Sequence, residues 1–142
     1  MREAIYQGAE IERLIPQRAP IMMVSNFFGT TETDAETGLK ILADNICCKN
    51  NHLTEPGLIE HIAQSAAAFA GYNALQSGEK VVLGFIGEIK KLTINSLPAV
   101  GSMIETRIAI VQEVMNVLLM SARSTVDGQT VAECSIKLFM DK

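Results

Sequence analysis

The side chains best suited to moving protons fall within one stretch, Asn51-His52-Leu-Thr-Glu-Pro-Gly-Leu-Ile-Glu60-His61-Ile-Ala-Gln64. Glu60 lies early in an otherwise apolar run. Loss of water there raises a carboxyl pKa and keeps a proton available near neutral pH, as a general acid requires. Gln64 follows one helical turn later, where its amide can hydrogen-bond that carboxyl and fix its direction. The plainer alternative for Glu60 is a solvated first-turn acid favoured by the helix dipole. His52 carries an imidazole that can be neutral at working pH and so serve as a base. Otherwise it is a loop histidine beside Asn50 and Asn51. His61 adjoins Glu60 but projects about a third of a turn away on a helix of ~3.6 residues per turn, so it reads as a packing or interface residue. The backbone N–H groups of Gly57 and Leu58 point out of the positive end of the same helix. They are candidate donors to an anionic ligand oxygen, with Gly57 allowing close approach; the alternative is that Pro56-Gly57 only punctuates the helix start.

The elements that position these groups can be read from spacing. Thr54-Glu55-Pro56-Gly57 is a helix start: a threonine able to cap free N–H groups, an acid in the first turn, and a proline whose missing N–H costs little there. The helix should run to about Gln76 and stop at Ser77-Gly78. Leu58, Ile62, Ala66, Phe69 and Asn73 share one side, while Ala63, Ala67, Ala70 and Gly71 keep the rest thin, which predicts a helix enclosed on several faces. Before it, Glu10–Ile15 predicts a short helix stopped by Pro16 and Pro20, Ile21–Phe28 a strand, Thr30–Glu36 a polar turn and Gly38–Ile46 a second strand. From Val81 onward the period becomes two. Strands are expected over Val81–Ile94, around Ile104–Ile110, over Met120–Val126 and over Ala132–Met140, with Asp127-Gly128 as a hairpin turn. The predicted class is α+β: a long central helix wrapped by a curved antiparallel sheet.

Composition narrows the function. The 142 residues suit one domain, and an apolar share of 48% with ten glycines fills a core with surface left for a partner. Twelve basic against sixteen acidic residues, with no Trp and two Tyr, argue against nucleic acid. Three cysteines, two of them adjacent, fit neither a disulfide framework nor a zinc pattern and point to a reducing, cytoplasmic setting. The charged opening segment does not read as a signal peptide, and no run approaches the ~20 apolar residues of a membrane span.

A small-residue helix followed by a meander containing Gly84-Phe-Ile-Gly-Glu-Ile-Lys-Lys-Leu92 resembles the hot-dog fold of the 3-hydroxyacyl-acyl carrier protein dehydratases. Ile11-Glu-Arg-Leu-Ile-Pro-Gln-Arg-Ala-Pro-Ile-Met-Met-Val24 is similar to that family's opening segment, with Gln17 where the family commonly carries a histidine. Glu60-His61-Ile62-Ala63-Gln64 is similar to its Glu-x-x-Ala-Gln signature, and Thr125-Val-Asp-Gly-Gln-Thr-Val-Ala-Glu133 to its last hairpin. The loop between His52 and Glu60 carries the single Pro56-Gly57 where the family has two Pro-Gly steps. Shortened loops of this kind resemble a divergent branch found with aryl polyene pigment synthesis, where some members look catalytic and others look like their degenerate companions.

The resemblance implies dehydration of a 3-hydroxyacyl thioester with no metal or organic cofactor. Glu60 would be the acid that orients and protonates the hydroxyl, His52 the base for the C2 proton, and Gly57 and Leu58 the donors to the thioester oxygen, with Gln64 supporting Glu60. Glu60 lies about five residues inside the helix, a rise of roughly 7.5 Å before the loop is counted. In the resembled family the histidine and the acid come from different subunits, which implies a homodimer or higher homo-oligomer. The implied partner is an acidic acyl carrier protein, which Arg18, Lys90 and Lys91 could meet. Met22, Met23, Met103, Met115, Met120 and Met140 could line an acyl tunnel, although core packing suits them equally. Rival readings are a non-catalytic hot-dog subunit that binds acyl chains or stabilises a dehydratase, and an acyl thioesterase.

Overall fold

A computed structural model describes residues 3–78 and 84–140. The central element is α1, Glu55–Gln76, the helix expected from the Thr-Glu-Pro-Gly start. Thr54 is its extended N-cap residue, but the hydroxyl does not cap: Oγ1 donates to the Cys47 carbonyl at 2.7 Å, tying the helix start to the preceding loop. The helix is buried on several sides, through Leu58, Ile62, Ala68, Phe69 and Gly71 among others. At Gly71 the N-terminal segment comes so close that an added Cβ would collide with the Leu14 carbonyl.

Around α1 the chain forms β1 (Tyr6–Gln7), β2 (Asn26–Thr30), β3 (Asp34–Lys40), β4 (Cys48–Lys49), β5 (His52–Leu53), β6 (Gly84–Ile94), β7 (Met103–Val114), β8 (Val117–Val126) and β9 (Gln129–Met140). Seven of these make one sheet in the order β1-β2-β3-β7-β8-β9-β6, antiparallel throughout, while β4 and β5 form a separate hairpin at the start of α1. The β8–β9 turn is the expected one: Asp127 and Gly128 take φ of 50° and 81° between paired Val126 and Gln129. The expected strand from Val81 is described from Gly84; 81–83 lie outside the described residues.

The first half departs from the sequence expectation in three places. The short helix is a 3-10 turn over Gly8–Arg13. The strand expected from Ile21 begins only at Asn26, because the backbone of Ile21 and Met23 is bound by side chains of α1 instead of a neighbouring strand. The polar turn is short, and β3 occupies Asp34–Lys40, in register with β7 from Asp34↔Ala109 to Lys40↔Met103. Beyond it Leu42 and Ile46 stand exposed in a loop. No helix of the described residues is long and apolar enough to cross a membrane.

Candidate active site

The outer face of α1 and the edge of the sheet form a half-open cavity of about 340 Å³. Ala63 and Ala67 leave the space, since their methyl groups do not fill the gap to β6. Ile86 and Ile89 from β6 and Leu138 from β9 complete an aliphatic wall. Two polar side chains break it, Glu60 from α1 and Gln17 from the N-terminal segment.

Glu60 is half-buried at this cavity. Gln64 Nε2 donates to Glu60 Oε1 at 2.9 Å, the one-turn contact that the spacing allows. Gln64 is itself buried and immobilised: its Oε1 accepts the Met23 N–H at 2.6 Å, and its Nε2 also donates to the Ile21 carbonyl at 2.9 Å. It holds the Glu60 carboxyl from behind, as the spacing implies, and is not among the residues that line the cavity and could touch a substrate there. Gln17 Oε1 is buried and has no hydrogen-bond partner. In the sequence Gln17 stands out only by taking the place of the histidine common in the resembled family's opening segment.

His52 is exposed on the β4–β5 hairpin. Asn50 and Asn51, at φ of 54° and 65°, turn the chain, and His52 pairs with Lys49 on one side and Ala99 on the other. Its Nδ1 stands 2.8 Å from the Asn50 carbonyl. A carbonyl only accepts, so Nδ1 carries the hydrogen and the Nε2 lone pair is left as the basic one. His52 does not line the Glu60 cavity, so a single chain does not bring the two together.

His61 faces inward and is fully buried. Nδ1 donates to the Met23 carbonyl at 2.7 Å; Nε2 then accepts from Thr106 Oγ1 at 2.8 Å, and Thr106 in turn accepts from Ser124 Oγ at 2.7 Å. One turn on, Ser65 donates to the His61 carbonyl at 2.8 Å and receives Thr37 Oγ1 at 2.7 Å. Thr37, Thr106 and Ser124 are register partners on β3, β7 and β8, so this seam runs straight across the sheet beneath the helix. Burial, only partly offset by the Met23 hydrogen bond, pushes the His61 pKa down to about 4 and keeps the ring neutral.

The expected oxyanion donors are placed differently. Leu58 N–H donates to the Thr54 carbonyl at 2.9 Å, inside the first turn of the helix. Gly57 is buried, and a Cβ there would meet Cys47 Cβ at 2.6 Å and Leu53 Cδ1 at 2.7 Å, so its smallness serves the packing of the β4–β5 hairpin. Neither residue lines the Glu60 cavity. The methionines do not line it either; Met23 and Met120 are core residues and Met115 is exposed. Of the expected basic groups, Arg18 meets Glu12 at 3.4 Å and Lys90 meets Glu88 at 3.2 Å. Lys91 has no ion pair among the described residues. No group of three or more His, Cys, Asp or Glu among the described residues is arranged to hold a metal ion.

A long helix packed on a seven-stranded antiparallel sheet is a hot-dog fold, as the solved structures bear out. The dehydratase heterocomplex ApeI:P from Xenorhabdus doucetiae superposes with a TM-score of 0.86 at 13% identity, over 93% of this chain and 91% of that one. The PaaI protein from the phenylacetic acid degradation operon of E. coli gives 0.65 at 10%, covering 80% of each chain. A hypothetical thioesterase with coenzyme A from Streptococcus pneumoniae gives 0.64 at 10%, over 82% of this chain and 84% of that one. No curated protein matches the sequence. The ApeP dehydratase family model matches residues 9–142, and the chain belongs to this ApeP-like family.

Proposed function

We propose that the protein is a hydro-lyase that removes water from a 3-hydroxyacyl thioester on acyl carrier protein, giving the trans-2-enoyl thioester in polyene or fatty-acid synthesis in the cytoplasm. The observation that carries this reading is the Glu60 carboxyl, aimed by Gln64 into an aliphatic cavity of about 340 Å³, within the size range of small-ligand sites. Glu60 gives its proton to the C3 hydroxyl as the C3–O bond breaks. His52 Nε2 takes the C2 proton, and that C–H electron pair becomes the C2=C3 double bond. Because His52 lies outside the cavity of its own chain, the base comes from a second hot-dog subunit. The cavity borders β6, the last strand of the sheet, where a second sheet can be added. That the solved ApeI:P dehydratase is a heterocomplex supports a site shared between subunits.

Incubating the protein with a 3-hydroxyacyl carrier-protein thioester and following both enoyl product and free thiol tests this. Enoyl formation that disappears in Glu60→Gln is expected; thiol release would point to thioester hydrolysis instead.

One observation favours a second reading, a non-catalytic subunit that binds acyl chains or stabilises a dehydratase partner. The His52 side chain is exposed, and among the described residues its ring hydrogen-bonds Asn50 alone. Under that reading neither product appears from this chain alone, while acyl binding persists.

A further inference from the structure

The helix residues on the wall of the Glu60 cavity are Ile59, Glu60, Ala63 and Ala67, so from the carboxyl the space runs toward the C-terminal end of α1. A chain whose C3 carbon is held at Glu60 lays its tail beside Ala63 and then Ala67. On a helix rising ~1.5 Å per residue, these two methyl groups stand roughly 4.5 and 10.5 Å beyond Glu60 along the axis. Both alanines are half-buried, so a larger side chain at either position grows into the cavity.

The opposite wall is shaped to face them. In an unbroken strand, residues three apart point to opposite sides of the sheet, yet Ile86 and Ile89 of β6 both reach this cavity. The register against β9 shifts between Ile86 and Glu88, where Gly87 is the extra residue of a bulge, and the shift returns Ile89 to the side of Ile86. A Cβ on Gly87 would run into the Phe139 ring, so a glycine is what the bulge can hold there. Leu138, the register partner of Ile86, completes the aliphatic wall.

Resting on the dehydratase reading above, we propose that Ala63 and Ala67 are the residues that set which acyl-chain lengths the protein accepts. An extended chain, with bonds of about 1.5 Å in zigzag, advances roughly 1.25 Å per carbon, which brings about the seventh carbon level with Ala63 and about the eleventh level with Ala67. The substrate class is then a 3-hydroxyacyl chain that passes Ala63 and reaches Ala67. A branched side chain at either position fills the slot at its own level. Chains that end before that level still fit, whereas longer ones lose the contacts beyond it.

The test uses the intact protein and stable pantetheine amides of 3-hydroxybutyrate, 3-hydroxyoctanoate and 3-hydroxydodecanoate, titrated by calorimetry. Wild type is expected to bind each longer ligand about tenfold more tightly than the one before, because each step buries further methylenes in a half-open slot. Ala67→Leu is expected to erase the step from octanoate to dodecanoate and to keep the step from butyrate to octanoate. Ala63→Leu is expected to erase both. Each variant is judged by the ratios among its own three ligands, so a general loss of affinity does not imitate the result. The corresponding valine variants show the same pattern with smaller losses and serve if a leucine variant does not fold. Wild-type affinity that does not rise with length, or two variants that erase the same steps or none, overturns the assignment. Failure to bind any of the three ligands overturns both this assignment and the dehydratase reading. Ratios that follow the two alanines, with no enoyl product from the matching carrier-protein thioesters, overturn the dehydratase reading alone.

Discussion

Neighbouring residues on one helix open onto two different environments. His61 and Ser65 face the sheet and join Thr37, Thr106 and Ser124 in a seam where every side-chain polar group is paired. Glu60, the preceding residue, lies half-buried at a cavity bordered by Ile86 and Ile89 of β6. Both regions are polar islands in an aliphatic interior, so polarity alone does not mark function. The seam completes its own hydrogen bonds and therefore holds the fold, whereas Glu60 keeps part of its carboxyl open to the cavity.

That contrast can be broken from either side. On the cavity side, Glu60→Gln should lower enoyl formation by about 10²–10⁴-fold, the range for loss of one acid–base group, while leaving the unfolding temperature nearly unchanged. A large fall in stability with retained turnover would make Glu60 a fold residue like His61. On the seam side, His61→Leu strands the Met23 carbonyl and the Thr106 hydroxyl without their partner. It should cost about 3 kcal/mol in urea unfolding, with turnover per folded molecule kept.

Acid should sharpen the same distinction. The folded His61 pKa of about 4 lies below its ordinary value of 6.5, so the unfolded chain takes up the proton first as pH falls. Its contribution is complete above about pH 6.5 and is lost between there and pH 4, amounting to about 3 kcal/mol in all. Chemical unfolding measured at intervals across that window should show a decline that His61→Leu abolishes. The smallest effect lies away from both regions. Arg107 bonds Asp34 and Glu36 at 2.9 Å on the outer surface of the sheet, and Arg107→Ala should cost less than about 1 kcal/mol and leave turnover untouched.

Local chemistry is what the sequence displays well. Thr54-Glu-Pro-Gly places the helix start within a residue, Asp127-Gly128 places the last hairpin, and the four-residue step from Glu60 to Gln64 anticipates their contact. What it hides is where distant backbone makes its bonds. Ile21–Ser25 has strand-like composition, yet Gln64 and His61 take its polar groups from about forty residues away. Gly57 looks like a ligand-facing glycine until Cys47 and Leu53 are seen pressed against it. Gln17 reaches the wall of the Glu60 cavity only because the N-terminal segment packs against α1, a contact that no local pattern encodes.

Subunit mixing tests the shared site most directly. Glu60→Gln and His52→Ala homo-oligomers should each be nearly inactive. Unfolded together and refolded as a mixture, they should recover about a quarter of wild-type enoyl formation, because random pairing gives half mixed dimers, each with one intact site. A mixture no more active than its parents contradicts a histidine and a carboxyl drawn from different copies of this chain.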